Sequence, residues 1–436
     1  MSGVAMNRLL IRNARLLDPA SGLDAPGDLL VEGEQIVALG GDLSASARDA
    51  ETVNADGLCL APGLVDMRVQ LREPGAEHLE SIESGGRAAA AGGVTTMVAL
   101  PNTDPPVDDV SVVEFLARRA REARLAKVHT YAAATKRLEG RELTEMGLLA
   151  ANGAVGFTDG VKAVADALVM RRVLAYAKSF DLLVLQHPEE PSLARAGEVN
   201  EGEIATRLGL GGITPMAELI MVERDLRLVE ITGSRWHAAH LSTAAAIDAI
   251  RQAKARGLPV TCDTAPPYFV LNETAIGDYR TFAKLSPPLR SERDRWAVIE
   301  GLRDGTIDAI ASDHAPWDQD SNRLPFSSAA YGIVGLETLL ALSLELHHNR
   351  HLGLLDLVRL LTLNPAQILR LPVGRLAVGA PADLVLFDPD RPWQICPDAF
   401  LSKSKNAPFD DRPVKGRVRL TIVDGRTIFR QGQSPS

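Results

Sequence analysis

Hydrophobic and polar positions divide the chain into stretches of two different periods. Residues 9–17 and 28–39 alternate apolar with polar, the two-residue period of half-buried strands, around the turn-forming Asp18-Pro19-Ala20-Ser21-Gly22. The same short alternation returns near the other end, in Ala382-Asp383-Leu384-Val385-Leu386-Phe387 and over residues 417–429. Between them, from about residue 60 to 371, short apolar runs alternate with helical patterns. Strands are expected at 94–100, 128–134, 154–158, 182–186, 235–240, 259–263 and 306–312, with helices such as 110–124, 168–178, 215–228 and 243–255. A further apolar run opens this middle part at Ala61-Pro62-Gly63-Leu64-Val65-Asp66, which brings the strands to the eight that a closed parallel barrel needs.

The expectation is an α/β chain: a (β/α)8 barrel over residues 61–371, with residues 1–60 and 372–436 meeting in one small β-sandwich. Gly209-Leu210-Gly211-Gly212 follows no strand and has no Walker lysine, so it is expected to be a loop rather than a phosphate cradle.

Composition narrows the function classes. A chain of 436 residues with 46% hydrophobic residues has enough apolar surface for a large barrel core. The net charge of −9, with both signs interspersed, argues against nucleic acid or an anionic membrane as partner. No apolar run reaches membrane-spanning length, and the first ten residues lack the apolar segment of a signal peptide. Cys59, Cys262 and Cys396 are far apart and fit free thiols in a cytoplasmic protein.

Candidate chemistry gathers where strands end. Thr158-Asp159, Gln186-His187-Pro188-Glu189, His237-Ala238-Ala239-His240 and Ser312-Asp313-His314 each close an apolar run with acid or imidazole groups. One such histidine is usually a hydrogen-bonded core residue, and one such aspartate an N-cap. Four on the strand ends of one barrel suit a divalent metal, which takes about three protein ligands and one open position. His237 and His240 are three apart, so only one of them is expected to point inward. On the opening strand, Arg68, Gln70 and Arg72 share one side, which an edge strand with a solvated face would also explain.

The stretch from Ala61 to Gly75, with Arg72-Glu73-Pro74, resembles the first barrel strand of the dihydroorotases in the amidohydrolase superfamily. The resemblance runs nearly end to end. It includes Pro101-Asn102-Thr103, Lys284-Leu285-Ser286-Pro287-Pro288-Leu289-Arg290, Gly332-Ile333-Val334-Gly335-Leu336-Glu337-Thr338 and Ser402-Lys403-Ser404-Lys405-Asn406-Ala407-Pro408-Phe409. It implies a metal set of Asp159, His187, His240 and Asp313, with Asp313 also the general base. It implies that Arg72 and Asn102 hold a substrate carboxylate and that Tyr331 and Gly332 contact the ring. Asp159, where the hydantoinase branch has a carboxylated lysine, favours the dihydroorotase branch.

Four positions depart from the family pattern. Arg68 and Gln70 stand where two metal-binding histidines are expected, Ser286 replaces an asparagine, and Trp317 replaces a histidine. Arginine does not deprotonate in proteins, so Arg68 is expected to put a fixed charge where a metal would sit, within reach of Asp313 or Asp159. At most one zinc ion per chain is then expected, or none. Two functions follow from the resemblance. One is an enzyme acting on a small molecule, interconverting N-carbamoyl-L-aspartate and dihydroorotate, and expected to be a homo-oligomer. The alternative is a catalytically inactive homologue that serves as structural partner of aspartate carbamoyltransferase. An allantoinase-like cyclic amidohydrolase is a weaker third option.

Overall fold

The computed structural model describes residues 8–47 and 49–433. The readings that touch residues 1–7, Arg48 and 434–436, the N-terminal segment among them, lie outside the described residues. Five strands come first: β1 Arg8–Asp18, β2 Leu23–Glu32, β3 Gln35–Gly40, β4 Glu51–Asn54 and β5 Cys59–Pro62. The barrel strands follow as β6 Leu64–Val69, β7 Val94–Ala99, β8 Lys127–Ala132, β9 Ala154–Phe157 and β10 Leu183–Gln186. After a small pair, β11 Val199–Asn200 and β12 Gly212–Ile213, come β13 Arg235–Ala238, β14 Val260–Thr264 and β15 Ala309–Ile310. The chain closes with β16 Leu384–Gln394, β17 Pro413–Val423 and β18 Arg426–Arg430.

The eight barrel strands pair in parallel in the order β15-β14-β13-β10-β9-β8-β7-β6. The ring closes through a bridge between Val69 and His314, where Gln70 N donates to His314 O at 2.8 Å. Strands buried on both faces read as unbroken apolar runs, and every residue of β6 and β7 is buried. Inside the barrel, Val65, Met67, Val98, Leu100, Leu183 and Leu185 pack around Tyr131, whose hydroxyl donates to Met67 O. The eighth strand is only Ala309–Ile310, shorter than the pattern over 306–312 suggests, because the residues after it leave the ladder to form the site.

Both chain ends join one eight-stranded sheet of order β18-β17-β16-β5-β1-β2-β3, with β4 against β1. The union is made by β16 lying antiparallel to β5, Leu384 opposite Pro62. Its core has Leu9, Ile11, Leu16, Leu29, Leu384, Leu386 and Ile422. A register shift between Val418 and Leu420 re-aims β17, so that Val414 and Val418 pack into the barrel core while Leu420 and Ile422 pack into the sheet's own core. That one strand fixes the two parts together. The glycine-rich stretch near residue 210 is structured at its end, since Gly212–Ile213 forms β12 against β11.

Candidate active site

The side chains that line the barrel's open end come from the residues just beyond the strands, where local backbone geometry sets their aim. At the end of β6 and just past it, Arg68, Gln70 and Arg72 keep the two-residue spacing of one strand face and all line one cleft of about 1080 Å³. Arg72, His240 and Asp313 each have left-handed backbone, with φ of 58°, 40° and 52°. Such conformations cost about 1–3 kcal/mol for residues other than glycine and concentrate at functional sites. No residue pattern announces them at Arg72 or His240.

The strand-one and strand-eight side of the cleft is built on an ion pair. Arg68 Nε donates to Asp313 Oδ1 at 2.8 Å, and both side chains are almost fully buried. Asp313 Oδ2 also lies 3.2 Å from His240 Nδ1, though not aligned for a hydrogen bond. Burial alone would raise the Asp313 carboxyl, but His240 and Arg68 outweigh it and hold it down at about 2. Burial, reinforced by the charge of Arg68, lowers His240 to about 4, so its ring is neutral at pH 7. Next to Asp313, His314 accepts from Gly335 N, and its Nε2 lies 3.4 Å from the buried Glu80. Glu80 is bonded in turn by Ser84 and Ser402, which ties the segment 402–406 to the strand-eight exit.

On the strand-five and strand-six side the two histidines meet directly. His187 Nδ1 and His240 Nε2 share a hydrogen bond of 2.7 Å. Ser286 Oγ lies 3.2 Å from both His187 Nε2 and Glu189 Oε2. His237 is buried but engaged elsewhere, with Thr261 at 2.8 Å and Asp263 at 3.1 Å. The half-turn after β13 is held by Glu218, which accepts from the backbone and hydroxyls of Ser242 and Thr243.

Asp159 does not join these groups. Its carboxylate accepts from Thr135 N at 2.9 Å and from the Thr135 hydroxyl, and so fastens the loop after β8. Burial still raises its carboxyl against those bonds. The four expected metal ligands therefore do not form one donor set. Asp159 is turned onto Thr135, and Asp313 is taken by Arg68 and faces the far nitrogen of His240. The hydrogen bond between the imidazoles needs a proton on one of the two nitrogens, whereas metal ligation needs both bare. Among the described residues, no group of three or more His, Cys, Asp or Glu side chains is placed to hold a metal ion. The arrangement does not fit the four-ligand centre that the resemblance implies.

The remaining expected residues lie together. Arg72 Nε donates to Pro316 O at 3.2 Å, and its guanidinium sits 4.5 Å from the centroid of Trp317. Burial lowers its pKa to about 10, which leaves it charged at pH 7. Asn102 Nδ2 donates to Gln70 Oε1 at 2.9 Å. The Tyr331 hydroxyl donates to Gly197 O, and its ring lies over Lys284 Nζ at 4.4 Å. Lys284 itself donates to three carbonyls of residues 326–329 and holds that wall in place. Gly332 has φ of 124°, and a Cβ there would meet the Ala315 Cβ at 2.6 Å, so only glycine fits.

Sequence reasoning did not anticipate the bond of Gln70 to Asn102, the contact of Trp317 with Arg72, or Glu189 beside His187. The signals were Gln70 and Trp317 standing out of pattern, and the acidic end of His187-Pro188-Glu189. It also missed the exposed cations Arg141, Lys162 and Arg195 at the cleft mouth.

Two family models match the chain. One, described as "Dihydro-orotase-like", covers residues 57–246, and the other, "Amidohydrolase family", covers residues 298–429. A dihydroorotase of Anaplasma phagocytophilum is 48% identical over 96% of this chain and 94% of its own length. One from Syntrophotalea carbinolica is 46% identical over 97% and 99%. Among solved structures, an L-hydantoinase (dihydropyrimidinase) from Arthrobacter aurescens superposes with a TM-score of 0.87 at 25% identity, over 98% of this chain and 97% of that one.

Proposed function

From the premise that the chain belongs to the dihydroorotase family of amidohydrolases, we propose that it is a cyclic amide hydrolase interconverting N-carbamoyl-L-aspartate and dihydroorotate. Arg72 is the observation that carries this reading. Its guanidinium is largely buried, stacked on Trp317, and has no carboxylate partner among the described residues. A desolvated cation in that state is stabilised when an anion binds, and its planar fork matches a carboxylate. Asn102 and Gln70, bonded to each other, stand beside it on the same cleft.

Ring opening adds water to the amide carbon and breaks the carbon–nitrogen bond; ring closure reverses both. Asp313 is the group that takes the proton from water, and Arg68 supplies positive charge next to it. The same pair sets the limit on rate. A carboxylate held at about 2 is ionised at pH 7 but is a weak base, far from the pKa near 7 that best suits proton transfer. Slow turnover is the expected result. The reading includes a cytoplasmic location, consistent with three free cysteines.

A second reading rests on a different observation: each retained donor already has an internal partner. Arg68 pairs with Asp313, His187 with His240, and Asp159 with Thr135. A site satisfied in this way suits an inactive homologue that acts as structural partner of aspartate carbamoyltransferase. Purified protein assayed in both directions, with and without added zinc, separates the two. Turnover lost in Arg72→Gln supports the enzyme. No turnover, together with a stable complex with aspartate carbamoyltransferase, supports the partner.

A further inference from the structure

A pocket of about 470 Å³ lies away from the cleft, where the β16–β17 hairpin packs over the end of the helix Ile82–Gly92 and the helix Leu339–His348. Arg417 is half-buried on its wall, with its guanidinium carbon 4.2 Å from the centroid of Trp393. The indole is fixed in place, because its Nε1 donates to Gly416 O at 2.7 Å. A guanidinium has five N–H donors, and stacking satisfies none of them. Among the described residues the Arg417 guanidinium has no hydrogen bond and no ion pair. The side chain of Arg391, at the pocket's rim, is in the same state.

The acid in the pocket wall acts on this charge only through space and does not bond it. Glu337 Oε1 is engaged by Leu401 N at 2.8 Å and Ser402 N at 3.1 Å, and no ion pair joins it to Arg417. Burial raises the Glu337 carboxyl to about 7, which leaves little negative charge there below that pH. Phe400 and Phe429 supply aromatic wall beside Trp393, and Gln433 brings a side-chain amide to the edge. A guanidinium stacked on an indole, with a second, exposed guanidinium at the rim, matches one ligand chemistry, a planar ring that carries an anionic group. The volume admits a ring, a sugar and a phosphate together.

We propose that this pocket is a second ligand site, which binds a nucleoside monophosphate with its phosphate on Arg417 and Arg391 and its base on the aromatic wall. The test is calorimetric titration of the intact protein with UMP, AMP, uridine and inorganic phosphate. UMP or AMP is expected to bind, with uridine and phosphate each at least tenfold weaker. Arg417→Gln is expected to weaken nucleotide binding at least tenfold and Arg391→Gln at least threefold. Both positions are on the hairpin surface, and an unchanged thermal midpoint confirms that the fold is intact. Arg72→Gln serves as the control for binding in the cleft and is expected to leave the affinity unchanged. Binding lost in Arg72→Gln but kept in Arg417→Gln would overturn the proposal. So would phosphate binding as tightly as the nucleotide, or no nucleotide binding at all.

Discussion

The two sides of the cleft have solved the same electrostatic problem differently. Around β6 and β15 a carboxylate that would be costly to bury alone is matched by a permanent cation, Arg68, at 2.8 Å. Around β10 and β13 two imidazoles share one hydrogen bond of 2.7 Å, and the His240 ring is held neutral by burial. The first side depends on a cation that cannot titrate away, the second on a hydrogen bond between two rings. Replacing one residue on the first side therefore strands a charge, whereas replacing a histidine on the second removes one hydrogen bond worth about 1 kcal/mol. Substitutions on the ion-paired side are therefore expected to have the larger effects, with the histidine side as the internal control.

The largest effect is expected from Arg68→Ala. It leaves Asp313 buried with only a neutral imidazole beside it, which costs roughly 3–5 kcal/mol for a broken buried pair. Chemical denaturation measures this, and an unchanged midpoint would refute the pairing. The double replacement Arg68→His with Gln70→His removes the fixed cation and adds two donors. Elemental analysis is expected to show at most one zinc ion on the parent chain and more on the double variant. Two ions on the parent chain would refute the reading of Arg68.

Next in size is a pH effect at Asp66, on the same side. Burial raises its carboxyl to about 6, against bonds from Ser312 and from Arg68 N, and its Oδ2 has no hydrogen-bond partner. A folded pKa above the unfolded value means that the native state holds a proton the unfolded chain has lost. The stabilisation is full below about pH 4 and is lost as pH rises through about 6, a change of about 3 kcal/mol. Asp66→Asn is expected to flatten that part of the stability profile in urea titrations from pH 4 to 7. An unaltered slope would show that Asp66 is ionised throughout.

Much of this architecture was legible in the sequence, for a physical reason. Parallel strands buried on both faces show as apolar runs, and each run ends in the residues that face the open end of the barrel. Arg68 could be placed against a carboxylate, Asp313 or Asp159, because a permanent charge on a buried strand needs one, and the structure takes Asp313. Asp159 could not be placed that way. Whether it serves as a ligand or caps a loop depends on Thr135, a partner 24 residues earlier that no local pattern selects. Gln70 looked like a lost ligand, and its bond to Asn102 depends on β6 and the exit of β7 lying side by side.

On the substrate side of the comparison, Arg72→Gln is expected to weaken dihydroorotate binding about a hundredfold, through loss of about 2–3 kcal/mol of charge-assisted hydrogen bonding. The fold should be unharmed, since no carboxylate is stranded.

The smallest effect expected is at Trp317. The indole does not reach substrate in this reading; it holds Arg72 in place by stacking at 4.5 Å, with its own Nε1 donating to Tyr331 O at 2.8 Å. Trp317→Leu keeps an apolar floor but removes the π face, and a cation–π contact of this exposure is worth about 0.5–1 kcal/mol. Arg72 keeps its charge and its bond to Pro316 O, so dihydroorotate should bind only about three- to fivefold more weakly. The two variants should not add. With Arg72 already replaced, Trp317→Leu should change affinity by less than about 0.5 kcal/mol, because nothing remains for the ring to hold. Calorimetry on the double-mutant cycle reads this directly, and full additivity would mean that Trp317 acts on the ligand itself rather than through Arg72.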